Sequence, residues 1–578
     1  MWPFSPVYEQ VSRRKQAARA EALAAVRGEA FADATEQYIR ATASEIVQRI
    51  SQGEWTASQV LEAYLARAAL AQGLTNCLTE VFFSQARAEA TALDEEFTLT
   101  GKIRGPLHGV PVSFKDIFDV KGYDTTMGYS SYADKPASED AHVVAMVRAA
   151  GGIPIAKTNL SQMMFFFECA NPVWGRSLNP YSKSYSSGGS SGGEAALLAM
   201  DGSALGWGSD IGGSLRIPAS MCGIYSLKPG WSRISMTGTQ DTYPGIEGVR
   251  STLGPMARSV EDLELAARLV FGIQGAEFDP APLSYRDVRL PAKLRLGYYL
   301  SDGYVKASPA CQRAVLKAVE ALRKAGHECV EFEFPQAAEA MEIYMSITTA
   351  DGLRTMQEPL NSDPMEPGIS TTILSASLPK IARMIIAWVA KCILGDIVFV
   401  RTTRGTGYTT VQEYHKSVVR RNAYARMFEK QVWEKHNLDG IIAPVIALPA
   451  VPHGACKYVS PIAAGVCHYN VLNLPVGVVP VTRVRTTDIA TAEWTNPKVG
   501  PGHGSPLLER LLYGTLDRAV GHGTGGLYNA EKMAGMPVGV QVVGRRWEDE
   551  KVIEMMKVLD HALGPRGFGP LNWVEQKE

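Results

Sequence analysis

The chain has no CxxC pair, no HExxH motif and no Walker A loop, and neither sign of charge prevails over its 578 residues. Each lack removes a class of function. Cys77, Cys169, Cys222, Cys311, Cys329, Cys392, Cys456 and Cys467 are scattered without short-range pairing. This argues against a disulfide scaffold or a cysteine-based zinc site and suits a reducing compartment. The ten histidines supply no zincin helix, and Lys157-Thr158 follows Ala156 where a phosphate loop needs glycine. No metal and no other cofactor is expected. Lys plus Arg number 58 and Asp plus Glu 59, a net charge of −1, so nothing in the overall charge favours nucleic acid as a partner. The first thirty residues contain no hydrophobic run of signal-peptide length, so a cytoplasmic, non-secreted protein is expected.

What is present has an α/β texture. Residues 8–51, 57–72 and 84–94 are rich in Ala, Glu, Arg and Gln at helical spacing and read as a helical preamble. From His108 onward, short apolar runs edged by Gly and Pro (GVPVSFKDIFDV, GGIPIAKTNL) alternate with helical stretches such as AHVVAMVRAAG. The later runs LRLGYYL, HECVEFEF, LDGIIAPV, LPVGVVPVTRV and MPVGVQVVG read as buried strands. CQRAVLKAVEALRKAG reads as an amphipathic helix ending at a Gly. An N-terminal helical extension over 1–69 and one large domain over 70–567 are expected. Residues 378–394, LPKIARMIIAWVAKCIL, form a helix about 25 Å long. Lys380, Arg383 and Lys391 fall within an arc of about 80° on it. It is either a core helix with a solvated stripe or a cap, within 375–400, that touches a membrane surface through its basic anchors. The Gly-rich stretch 499–526 has no interpretable motif.

Nine Gly and eight Ser occur in the 31 residues from Ser184 to Ser214, yet EAALLAM lies among them, so this is no linker. Gly188 to Gly192 fits GxSxG, but the polar NPYSKSYSS before it lacks the buried strand of a nucleophile elbow. Ser191 and Glu194 stand at capping-box spacing before the helix, which leaves Ser190 without a structural task. In Gly208-Ser209-Asp210-Ile211-Gly212-Gly213-Ser214 the glycines allow backbone N–H groups to converge beside a serine nucleophile. Lys115, in the strand-like run from Val110 to Phe118, is either an edge residue or, if buried, a base held neutral by burial.

Together GVPVSFKD, PIAKTN, GGSSGGEAALLA and GSDIGGSLRIPASMCGIYSLKP resemble the amidase signature family, in its motif order and over roughly residues 60–565. The steps of 75 residues from Lys115 to Ser190 and 24 to Ser214 resemble its fatty-acid amide hydrolase branch. The resemblance implies one α/β domain with a central mixed β-sheet flanked by helices on both faces. It implies a Ser-Ser-Lys triad in which Ser214 is the nucleophile, Ser190 the relay and Lys115 the base. A cis bond between Gly189 and Ser190, and an oxyanion hole from the N–H groups of Ile211, Gly212, Gly213 and Ser214, are also implied. Met164 would line the substrate site, with Phe165, Phe166 and Phe167 lining an acyl channel or serving as core, while Ser191, Asp210 and Arg216 support the loop. The implied partner is a small amide with an apolar acyl group. A short-chain or general amidase is the alternative, ahead of an amidotransferase subunit or a non-catalytic amidase-like receptor. Membrane contact and a homodimer are left open.

Overall fold

In the computed structural model of the chain, residues 6–24, 26, 33–275, 280–495, 504–514, 526–569 and 571–573 are described. Eleven strands form one sheet: β1 Leu78–Val81, β2 Pro111–Lys115, β3 Ile153–Thr158, β4 Leu205–Asp210, β5 Tyr225–Lys228, β6 Thr252–Ala257, β7 Arg295–Tyr298, β8 Glu328–Glu331, β9 Gly440–Pro444, β10 Val476–Arg483 and β11 Pro537–Val543. Their order across the sheet is β1-β3-β2-β4-β6-β5-β10-β11-β9-β7-β8. Parallel pairing joins β3 to β2, β2 to β4, and β9 to β7 to β8; all other neighbours are antiparallel. Every residue of β2, β3, β4 and β11 is buried, so helices must cover both faces of the sheet. The expected single α/β domain with a mixed sheet is what forms.

Helix ends follow their capping chemistry. Pro309–Lys324 starts after Ser308, whose hydroxyl accepts from Cys311 N–H, and it ends with Arg323 and Lys324 in the last turn. Ala57–Thr75 opens with a full capping box, Thr56 with Gln59, and is largely buried. The expected boundary at 69/70 falls inside that continuous helix. The stretch read as a helical preamble also conceals β1, a four-residue strand that pairs antiparallel with β3.

Residues 378–394 give the helix Lys380–Leu394. The core reading is overturned: Ile381 is 74% exposed, Trp388 64% and Ile393 73%. The expected solvated basic stripe is broken too, because Arg383 is buried and donates to the Tyr408 carbonyl at 3.2 Å. Among the described residues no single helix is long and apolar enough to cross a membrane. Of the described helix pairs only Pro367–Ser377 with Lys380–Ile393, bent by 109°, passes by length and composition. Most of 499–526 lies outside the described residues; within it Pro506–Tyr513 is helical.

Candidate active site

Lys115 ends β2, between β3 and β4, with no exposed surface, so the edge-strand reading does not hold. Its Nζ donates to Ser190 Oγ at 2.7 Å and to Ser209 Oγ at 2.9 Å. Two hydroxyls are poor substitutes for water around a cation, and burial pushes the lysine down to about 7 from its usual 10.5. Nothing in the sequence around Ser209, one residue before Asp210, marks it as a lysine partner. Ser190 follows a cis peptide bond from Gly189, as the resemblance implied.

The capping box at Ser191 does not form. Its hydroxyl makes no bond to the helix N-terminus and instead reaches the Ser209 carbonyl at 3.5 Å. Glu194, its supposed partner, points into the sheet and accepts from Ser113 Oγ and from Thr158 Oγ1, the latter at 2.7 Å. Burial raises this carboxyl to about 8, against the pull of those two hydroxyls. A Cβ at Gly206 would collide with it, which accounts for the glycine in the middle of β4. Spacing alone could not separate a helix cap from an inward carboxyl.

Asp210 and Arg216 strap the loop that carries Ser214. Burial opposes the Asp210 charge, but the guanidinium outweighs it and holds the carboxyl well below the usual range. Arg216 Nε and Nη2 reach the carboxylate at 3.0 and 2.9 Å, and Nη1 and Nη2 continue to Gln541 on β11 and to Asn470. Asp210 also accepts from the backbone N–H groups of Gly213 at 2.8 Å and Leu215 at 3.1 Å. Gly213 N–H is therefore already engaged, which corrects its place among the oxyanion donors. Its φ of +111°, with Val466 packed where a Cβ would stand, explains the glycine instead. The N–H groups of Ile211, Gly212 and Ser214 have no acceptor among the described residues.

Ser214 is 8% exposed and lines a cavity of about 400 Å³ together with Gly189, Ile211 and Gly212. No hydrogen bond joins Ser214 to Ser190. The remaining wall is mostly apolar and includes Met164, Phe165, Phe166, Phe167, Met341 and Met345. Met163 and Met164 both hold left-handed backbone, at φ +61° and +54°, a conformation uncommon for such side chains and concentrated at functional sites. Phe165 stacks on Tyr344 at 6.5 Å between centroids, and both line the cavity. Tyr344 and Cys467, from distant segments, close the wall behind Gly212, with Cys467 Sγ 3.6 Å from its carbonyl. Neither carries a sequence signal. Among the described residues no cluster of His, Cys, Asp or Glu could hold a metal ion.

A buried amine brought down to about 7 beside a hydroxyl, with a second serine and free backbone donors nearby, suits opening a carboxylic amide. Comparison with known proteins agrees: the Amidase family model matches residues 59–553, and the chain belongs to that family of amidase-signature hydrolases acting on amide bonds. Within it, the chain is similar to an amidase-named protein of Curvularia clavata, 35% identical over 91% of this chain and 89% of that one. It is also similar to fatty-acid amide hydrolase 1 of Sus scrofa, 31% identical over 90% of this chain and 85% of that one. A solved structure of fatty acid amide hydrolase superposes with a TM-score of 0.77 at 26% identity, covering 98% of this chain and 91% of the other.

Proposed function

We propose that the protein hydrolyses amides of apolar carboxylic acids through an acyl-enzyme on Ser214, with Ser190 as relay and Lys115 as base. The observation that carries this reading is the buried, partly neutral Lys115 bonded to Ser190 on the loop that reaches the Ser214 cavity. Ser214 gives its proton to Ser190 as Ser190 gives its own to Lys115, and Ser214 Oγ bonds to the carbonyl carbon. The resulting oxyanion takes the N–H groups of Ile211, Gly212 and Ser214. The proton returns from Lys115 through Ser190 to the amine nitrogen as the C–N bond breaks. Water then attacks the ester, yielding its proton along the same chain, and frees the acid and Ser214. The Ser190–Ser214 leg closes when substrate is bound, since catalytic hydrogen bonds are often unmade in the empty enzyme.

The apolar cavity wall supports a hydrophobic acyl group. Its test is kcat/KM for primary amides with acyl chains of two to eighteen carbons. A steep rise with length is expected, because each buried CH₂ contributes up to about 0.8 kcal/mol. A flat or falling series favours the short-chain, general amidase. The outward apolar face of Lys380–Leu394 supports attachment to a membrane surface, since its neighbours in the chain supply Thr371, Thr372 and Phe399 to the same cavity. Trp388→Gln is expected to lower co-sedimentation with phosphatidylcholine vesicles; unchanged co-sedimentation speaks against that role.

A further inference from the structure

One lining residue does not fit an apolar acyl channel. Among the described residues that line the cavity, Lys457 is the only Lys, Arg, Asp or Glu, and it forms no ion pair with any described carboxylate. Glu168 lies on a neighbouring segment, but its two oxygens accept the backbone N–H groups of Gly454 and Cys456, each at 2.8 Å. The Lys457 ammonium instead lies 5.5 Å from the ring centroid of Tyr458, itself 37% exposed, which puts it at the cavity's rim. The adjoining wall is the helix Pro367–Ser377, tied to this segment by Thr371 Oγ1 donating to the Lys457 carbonyl at 2.5 Å. From that helix Thr372 and Ser375, one turn apart, line the same cavity with hydroxyls that bond no described residue.

Ser214 apart, the other Thr and Ser hydroxyls of the lining, on Thr371, Thr402, Thr403, Thr406 and Ser460, are already bonded within the protein. A half-buried cation and two unspent hydroxyls remain, groups that a carboxylate satisfies: one supplies charge, the others donate. We propose that Lys457, Thr372 and Ser375 form a carboxylate-binding subsite, so that the enzyme favours amides that carry an anionic carboxylate remote from the scissile bond, at the far end of an apolar body. This rests on the reading of Ser214 as the point of attack on apolar amides. Methionine and phenylalanine side chains between the two ends would hold the apolar body, and Lys457 would set its direction. Lys457 is then a specificity-determining residue with no part in the chemistry.

The test uses the full-length enzyme without detergent or vesicles, so that no lipid headgroup supplies the anion. Its substrates are α,ω-dicarboxylic acid monoamides of six to sixteen carbons, each paired with the methyl ester of its free carboxyl. At the chain length that spans the cavity, the carboxylate is expected to exceed its ester twin in kcat/KM by about threefold to tenfold, mainly through KM. Lys457→Met abolishes that advantage, Lys457→Arg retains it, and Lys457→Glu reverses it. A carboxylate advantage at no length, or one that survives Lys457→Met, overturns the subsite while leaving amide hydrolysis in place. No turnover of either twin at any length overturns the underlying apolar-amide reading and the subsite with it.

Discussion

Lys115 Nζ lies 2.7 Å from Ser190 Oγ in a pocket of the sheet that admits no solvent to the lysine. Among the described residues its only other partner is the Ser209 hydroxyl, so no described carboxylate bonds directly to the ammonium. The consequence is a lysine that gives up its proton near neutrality, at about 7.

Activity should therefore follow the neutral form. kcat/KM for a primary amide is expected to rise with pH through about 7 and level off above it; a flat profile from pH 5.5 to 9 contradicts this. Lys228 is also pushed down to about 7, by burial and then by Arg216, so the profile is repeated on Lys228→Met, where the limb should persist. Stability carries the opposite signature. The unfolded chain holds the Lys115 proton up to about 10.5, the folded one only below about 7, so this group makes folding less favourable as pH falls across that window. Lys115→Met should melt no lower than the native enzyme at pH 7, a stability gained at the cost of function.

Leaving-group protonation separates amides from esters. An amide anion is a far poorer leaving group than an alkoxide, so Lys115→Ala should lose at least tenfold more kcat/KM on an amide than on the matched ester. Equal losses on the two substrates would remove the lysine from that step.

The strap under the nucleophile loop sets a stability cost. Arg216 and Asp210 are fully buried, and removing one partner leaves an uncompensated charge beside Asn470 and Gln541. Arg216→Met should destabilise the protein by about 3 to 5 kcal/mol, read by denaturant unfolding. The double variant Arg216→Met with Asp210→Asn should recover part of that loss; no recovery would mean the two charges act independently.

Strands β2, β3 and β7 to β11 are legible because their apolar runs are edged by Gly and Pro, whereas β1, β5 and β6 do not stand out as apolar runs, and Lys115, Ser190 and Ser214 come from the family resemblance. The outcome at Ser191 shows where such reading stops. A serine three residues before a glutamate satisfies the capping pattern, but only the fold shows that Glu194 turns inward to Ser113 and Thr158. Gly213 is similar: the glycine pair suggests a free N–H, but Asp210, held in place by Arg216, accepts from it. Ser209, Tyr344 and Cys467 reach the site through tertiary packing and leave no periodic trace. For residues 378–394, composition could not choose between core and surface, and the exposed Ile381 and Trp388 decide it.

The most direct test of the account is whether the acyl group is carried on Ser214. Labelling with a fluorophosphonate, followed by mass spectrometry of the digested protein, is expected to find the adduct on Ser214. Labelling should be lost in a folded Ser214→Ala variant and strongly slowed, with the adduct still on Ser214, in Ser190→Ala. An adduct on another serine, or undiminished labelling of Ser214→Ala, would contradict it.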